Sequence, residues 1–262
     1  MNQMQIAIIK KDLRGLVYNK RLFPALLIVP LIFTLVLPTI LILTVRFAPE
    51  EIGQMQQVLA LLPVGEQSEN LQLQVVGLMF NYIMPVFFII IPIMSASIMA
   101  ASSFVGEKEK RTLETLLYAP LSLRQIFQAK IFASFFLSMF VSFLSFVLMI
   151  LAVETELFLL LGSPLMFNAN WLVTMLMLSP AISLMAIILI VRGSAKAQSA
   201  EEAQQRTIFL ILPIMLLIVG QFTGVLLINT WWLLGISVLF VLLACFLMKS
   251  GWHKFSYEAI LK

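Results

Sequence analysis

Six apolar runs divide this chain, each about long enough to cross a bilayer as a helix: Leu22–Val45, Leu71–Val105, Ile131–Val153, Trp171–Val191, Thr207–Ile228 and Trp231–Met248. Spanning the hydrocarbon takes about 20 such residues. Over its 262 residues the chain is 61% hydrophobic and only 11% charged, where a soluble domain carries about 25% charged residues. No soluble core could hide that much apolar surface, so the bilayer must act as its solvent. The first run is too long for the apolar region of a signal peptide, and no small-residue cleavage site follows, so it counts as a span. The sixth is short, and only Asn229 and Thr230 separate it from the fifth. Those two are expected to form a tight helical hairpin. The expected fold is an all-α integral membrane protein of six transmembrane helices, with no soluble domain of its own.

Charge gives the spans a direction. Lys10, Lys11, Arg14, Lys20 and Arg21 precede the first span, and Lys108, Lys110, Arg111, Arg124 and Lys130 lie between the second and third. Arg192, Lys196 and Arg206 fall between the fourth and fifth, and Lys249, Lys254 and Lys262 follow the sixth. Sixteen of the seventeen basic residues thus occupy alternate connections, leaving only Arg46 for the others. Those others hold Glu50, Glu51, Glu66, Glu69, Glu154 and Glu156. Cytoplasmic connections are the ones enriched in Lys and Arg, so both termini are expected in the cytoplasm.

Smaller features fit that frame. Trp171, Trp231, Trp232 and Trp252 sit at predicted borders, where an amphipathic ring is comfortable. Residues 1–21 place Ile6, Ile9, Leu13, Leu16 and Val17 at helical spacing, with Lys10, Lys11 and Arg14 largely off that face. An amphipathic helix lying on the inner leaflet is expected there. The outer segment Pro49–Gln74 repeats the pattern weakly through Met55, Val58, Leu59 and Leu62. Prolines 24, 30 and 38 in the first span, and Pro85 and Pro92 in the second, are expected to kink those helices.

Ionisable groups are costly in hydrocarbon and usually functional, yet the six runs hold almost none. Their polar content is Asn81, Gln221 and a stripe of hydroxyls at Ser134, Ser138, Ser142 and Ser145. These are the groups open to a substrate path, although small residues that let helices approach closely favour packing. Gly220 and Gly224 form a G-x-x-x-G pair, expected to mark a dimer or helix-packing face. The one cysteine, Cys245, excludes an internal disulfide and is expected to be a small core residue. Glu201-Glu202-Ala203-Gln204-Gln205-Arg206 spells the E-E-x-x-x-R of intramembrane prenyl-protein endopeptidases. That chemistry also needs histidines within later spans, and the only histidine, His253, lies in the 249–262 tail. No G-x-x-x-x-G-K-[ST] occurs, so a P-loop nucleotide site is not expected in this chain.

The most informative stretch is the connection 106–125 and its continuation to Lys130. Glu107 and Arg111 stand at i,i+4, a pair worth about 0.3–0.5 kcal/mol on an exposed helix. Leu113, Leu116 and Leu117 add an apolar ridge framed by charge. Pro120 ends that helix, and Ser122 with Gln125 forms a capping box that starts the next.

Gly106-Glu107-Lys108-Glu109-Lys110-Arg111-Thr112-Leu113-Glu114-Thr115-Leu116-Leu117, followed by Pro120-Leu121-Ser122, Ile126 and Lys130, resembles the signature of ABC-2 type permeases. Arg111 and Ala129 stand where that signature usually has glycine. The Lys10-Lys11-Asp12-Leu13-Arg14 segment resembles the N-terminal elbow helix of these permeases, and residues 194–204 resemble a loop of the sodium-exporter-like and antibiotic-exporter-like branch. The resemblance implies the transmembrane subunit of an ATP-binding cassette exporter in a prokaryotic cytoplasmic membrane. Two permease chains, as a homodimer or a paralogous heterodimer, would meet two ATPase chains that hold the ATP and magnesium. No cofactor would bind to this chain, and its partners would be proteins and membrane lipids rather than nucleic acid. Residues Glu107, Arg111, Leu113, Glu114 and Leu117 would be the ATPase-coupling contacts. A stand-alone secondary transporter driven by an ion gradient is the alternative. It predicts mid-membrane ionisable groups and inverted repeats, and neither is seen.

Overall fold

In the computed structural model the described residues are 3–20, 22–47, 70–109, 121–164, 167–194, 197, 199–205, 207–222 and 229–252. All regular structure among them is helical. Helix α1 covers Gln3–Val17. The spans follow as α2 (Leu22–Phe47), α3 (Leu71–Glu109), α4 (Leu123–Leu161) and α5 (Ala169–Gly193). A short α6 (Ala200–Gln205) leads into α7 (Ile208–Phe222), and α8 (Thr230–Trp252) ends the described chain. Among the described residues six helical stretches are long and apolar enough to cross a membrane, α6 and α7 together making the fifth.

Helix α3 is the axis of the bundle and is buried along nearly its whole length. One core lies on its α2 and α4 side, around Leu78, Ile83, Met99, Met149 and Trp171. The other lies on its α5, α7 and α8 side, around Ile93, Ile182, Ile187, Ile214 and Leu233. The outer surfaces of α4, α7 and α8 carry exposed Phe136, Phe140, Leu216, Leu242 and Phe246. Lipid tails are as apolar as these side chains, so in a bilayer such a face needs no protein cover. Cys245 lies on this outward surface and not in the core, because an apolar run in a membrane helix does not by itself mark an inward face.

Among the described residues three spans contain a π turn, at Ile32–Val36, Met79–Ile83 and Thr174–Leu178. Each is followed two residues later by a proline: Pro38, Pro85 and Pro180. The residue before each proline donates five residues back, from Leu37 to Ile32, Met84 to Met79 and Ser179 to Thr174. A proline ring clashes with the carbonyl four residues earlier, and widening the preceding turn relieves that clash without breaking the helix.

Helix α4 exceeds the span expected for it. It continues past Val153 through Glu154 and Glu156 to Leu161 and stops at Gly162, whose φ of 66° only glycine adopts cheaply. Helix-stop chemistry, not the first charge, ends it, and Thr39 donates to Glu156 there. Glu156 does not contradict the sparse ionisable content of the spans, since it lies beyond the run read as membrane-embedded. The weak helical pattern over Pro49–Gln74 lies outside the described residues as far as 69, and its last four residues, 71–74, belong to α3; Arg111, Leu113, Glu114, Leu117, Gly224, His253 and the tail from 253 onward also lie outside the described residues.

Candidate functional site, an ionic joint at the base of the loop

Two elements fix the positions of the charges at one end of the bundle. On α1, Ile8, Asp12 and Leu16 recur every four residues, so all three face inward, with Gln5 one turn earlier. Ile6 and Val17, expected on the apolar face, point outward instead. Helix α4 begins at the anticipated capping box, in which the Ser122 hydroxyl accepts from the Gln125 N–H and the Gln125 side chain accepts from the Ser122 N–H. Lys130 lies two turns beyond the cap and four residues before Ser134, on the same inward face as the serines.

The charges meet between these helices and the end of α3. Lys130 is only 2% exposed. Its Nζ lies 2.7 Å from Glu107 Oε2 and 3.6 Å from Asp12 Oδ2. It also donates to the Ser103 carbonyl oxygen, lies 3.2 Å from Ser103 Oγ, and stands 5.5 Å from the centre of the Phe104 ring. Lys11 donates to Glu107 Oε1 from the rim, and the Ser103 hydroxyl donates to Asp12. Gln5 ties α1 to α4 through the Gln125 carbonyl, at 3.3 Å. Two ammonium groups face two carboxylates, so the quartet sums to zero. Burial pushes the Asp12 carboxyl above its ordinary range, and the Lys130 ammonium opposes that shift. Removing one partner from such a cluster leaves an uncompensated buried charge.

Glu107 was expected as an exposed contact paired with Arg111. It is buried and bonded to Lys11 and Lys130. Lys130 and Asp12 were missed as site residues, although the four-residue spacing to Ser134, and to Ile8 and Leu16, would have placed both inward. The quartet joins the two ends of the 107–130 stretch to each other and to α1.

The polar residues of the spans are drawn into helix contacts. Ser134 donates to the Lys130 carbonyl at 2.9 Å. Ser138 lies 2.9 Å from the Pro92 carbonyl oxygen, 3.1 Å from Ser95 Oγ and 3.0 Å from Ser183 Oγ, joining α3, α4 and α5. Ser142 Oγ is buried with no hydrogen-bond partner among the described residues, as are Thr174 Oγ1 and Ser179 Oγ. Gly220 is half-buried on α7.

Near the opposite end, the π turn of α3 offers three successive carbonyls to its neighbours. Trp171 Nε1 donates to Phe80 O at 2.9 Å, Asn170 Nδ2 to Asn81 O at 2.8 Å and Gln221 Nε2 to Tyr82 O at 3.0 Å. Asn81 Oδ1 accepts from the Asn168 N–H at 3.0 Å, and Asn170 Oδ1 accepts from the Thr230 hydroxyl at 2.7 Å. Pro85 cannot donate into the turn before it, and carbonyls at membrane depth must find partners within the protein. Trp171, expected at a membrane border, is fully buried for that reason. Asn170→Leu should lower the stability of the bundle by about 1–3 kcal/mol through orphaned polar groups, visible as earlier thermal unfolding in detergent. Unchanged unfolding would show that the staple carries no stability.

The family model of ABC-2 family transporter proteins matches residues 49–239 of this chain. No curated protein and no solved structure matches it. The matched region holds four of the six apolar helices whole and the start of the last, together with both Glu107 and Lys130, and the chain belongs to the ABC-2 transporter family.

Proposed function

We propose that the chain is the permease subunit of an ATP-driven exporter whose energy comes from a separate P-loop ATPase. In this reading the basic end of the bundle faces the cytoplasm, and residues 107–117 dock in a groove of the ATPase. A second permease chain completes the transporter. One observation carries the reading: an ionic quartet, three of its four side chains buried, fastens both ends of the signature stretch to α1 and to the bundle. A loop that transmits force needs a stiff base, and buried charges in mutual contact resist sliding. Glu107 then acts as a positioning residue. The ATPase contacts pass to Arg111, Leu113, Glu114 and Leu117.

Asn81, Gln221, Ser134 and Ser138 hold helices together in this state, so a cargo path along them would require those bonds to open. Ser142, with its free buried hydroxyl, is the better candidate of that set. The test is co-purification. Co-expressed with a P-loop ATPase encoded beside it, the chain should leave detergent columns as a stoichiometric complex with ATP hydrolysis that depends on both chains. A chain that purifies alone and moves its cargo on an ion gradient would make it a secondary transporter instead.

A further inference from the structure

A cavity of about 240 Å³ lies between α1 and the end of α3, lined by Lys11, Asp12, Gly15, Met99, Ser103 and Glu107 among others. Helix α3 has 39 residues and is therefore about 58 Å long, longer than the hydrocarbon is thick. Its apolar run ends at Val105, so the cavity lies where the helix leaves that run. Missing side chains make the space. A Cβ built on Gly15 meets nothing within 4 Å, and one on Gly106 meets only Ser102 Oγ at 3.9 Å and the Ala101 carbonyl at 4.0 Å.

The lining selects for a particular headgroup. The lining sets Lys11 against the Asp12 and Glu107 carboxylates, and only Lys130, buried behind those carboxylates, brings the sum to zero, so a net anion gains nothing over a neutral molecule, whereas a zwitterion can satisfy both signs. The Asp12 and Glu107 carboxylates have almost no solvent exposure, while the Lys11 side chain is 54% exposed at the rim and can swing. A ligand ammonium can take the place of Lys11 at Glu107 Oε1, and Lys11 can turn to the ligand's phosphate. The exchange keeps every charge paired. It also demands an ammonium that donates hydrogen bonds, which a quaternary amine cannot do.

We propose that this cavity binds the headgroup of a phosphatidylethanolamine-type lipid, a phosphodiester bearing a primary ammonium, from the leaflet on the basic side of the bundle. The proposal stands independently of ATPase coupling. Native mass spectrometry of the delipidated full chain, titrated with ethanolamine, choline and glycerol phospholipids, reads it directly. Ethanolamine lipid should be retained about tenfold more tightly than choline lipid, the margin of charge-assisted hydrogen bonds. Gly15→Leu fills the cavity without a clash at its Cβ and should abolish the preference, with thermal unfolding confirming the fold. Ser102→Leu fills it from the facing wall and gives the same readout should the first variant unfold. Equal retention of ethanolamine and choline lipids, or a preference that survives a folded cavity-filling variant, overturns the proposal. Soluble glycerophosphoethanolamine displacing the lipid at equal concentration would identify a soluble ligand and overturn the lipid assignment.

Discussion

Lys130→Met should be the most damaging single substitution in the described chain. It removes the one fully buried cation among the described residues and leaves the Asp12 and Glu107 carboxylates beside each other. Breaking a buried ion pair from one side costs about 3–5 kcal/mol, a large fraction of a typical folding stability. The pH dependence supplies a signature that a mere packing defect lacks. Asp12 titrates above its ordinary value because burial disfavours its charge, with Glu107 adding repulsion, while Lys130, Ser103 and Lys11 hold it down. A carboxyl raised in the folded state stabilises the fold at low pH, and that contribution is lost as pH rises through its folded value. Deleting Lys130 raises Asp12 further, so the variant's deficit should shrink on mild acidification. Thermal unfolding in detergent at neutral and mildly acidic pH measures both effects. A deficit that does not change with pH would show that the quartet is not an electrostatic joint.

The architecture was legible because the strongest rule in the sequence is solvent-imposed. Six apolar runs of suitable length, with basic residues confined to alternate connections, leave few folds available. The capping box at Ser122 was legible for a similar reason, since its two reciprocal bonds depend only on local spacing. What escaped depends on which way a face points. Lys130 looked like a loop cation until the four-residue register placed it on the inward stripe of Ser134 and Ser138. Ile6 and Val17 misled because the hydrophobic pattern of an amphipathic helix does not by itself name its packed face. The π turns were not expected, although a proline two residues after each could have suggested them. The role of Asn170 and Trp171 as donors to α3 arises only once that turn exists, because an unbroken α-helix offers no such carbonyls.

Leu113→Asp combined with Leu117→Asp should abolish the ATPase stimulation expected of an assembled transporter while leaving the bundle folded. The base of the loop and its apolar ridge have separate tasks. Glu107 and Lys130 are held by α1, by Ser103 and by each other, so the fold has no need of Leu113 or Leu117 to close the stretch. In the proposed reading those leucines serve the partner ATPase. Burying a leucine contributes about 1.5–3 kcal/mol, so placing charge at both sites removes on the order of 3–6 kcal/mol of docking, at least about a hundredfold in affinity. Thermal unfolding should match the parent chain, and ATP hydrolysis by the mixed proteins should fall to that of the ATPase alone. Lys130→Met separates the two ends of the mechanism, since it should lower both thermal stability and coupling. A complex of the double variant that assembles and hydrolyses ATP normally would show that the ridge is not the docking surface. The ATPase contact would then have to be sought at Arg111 and Glu114.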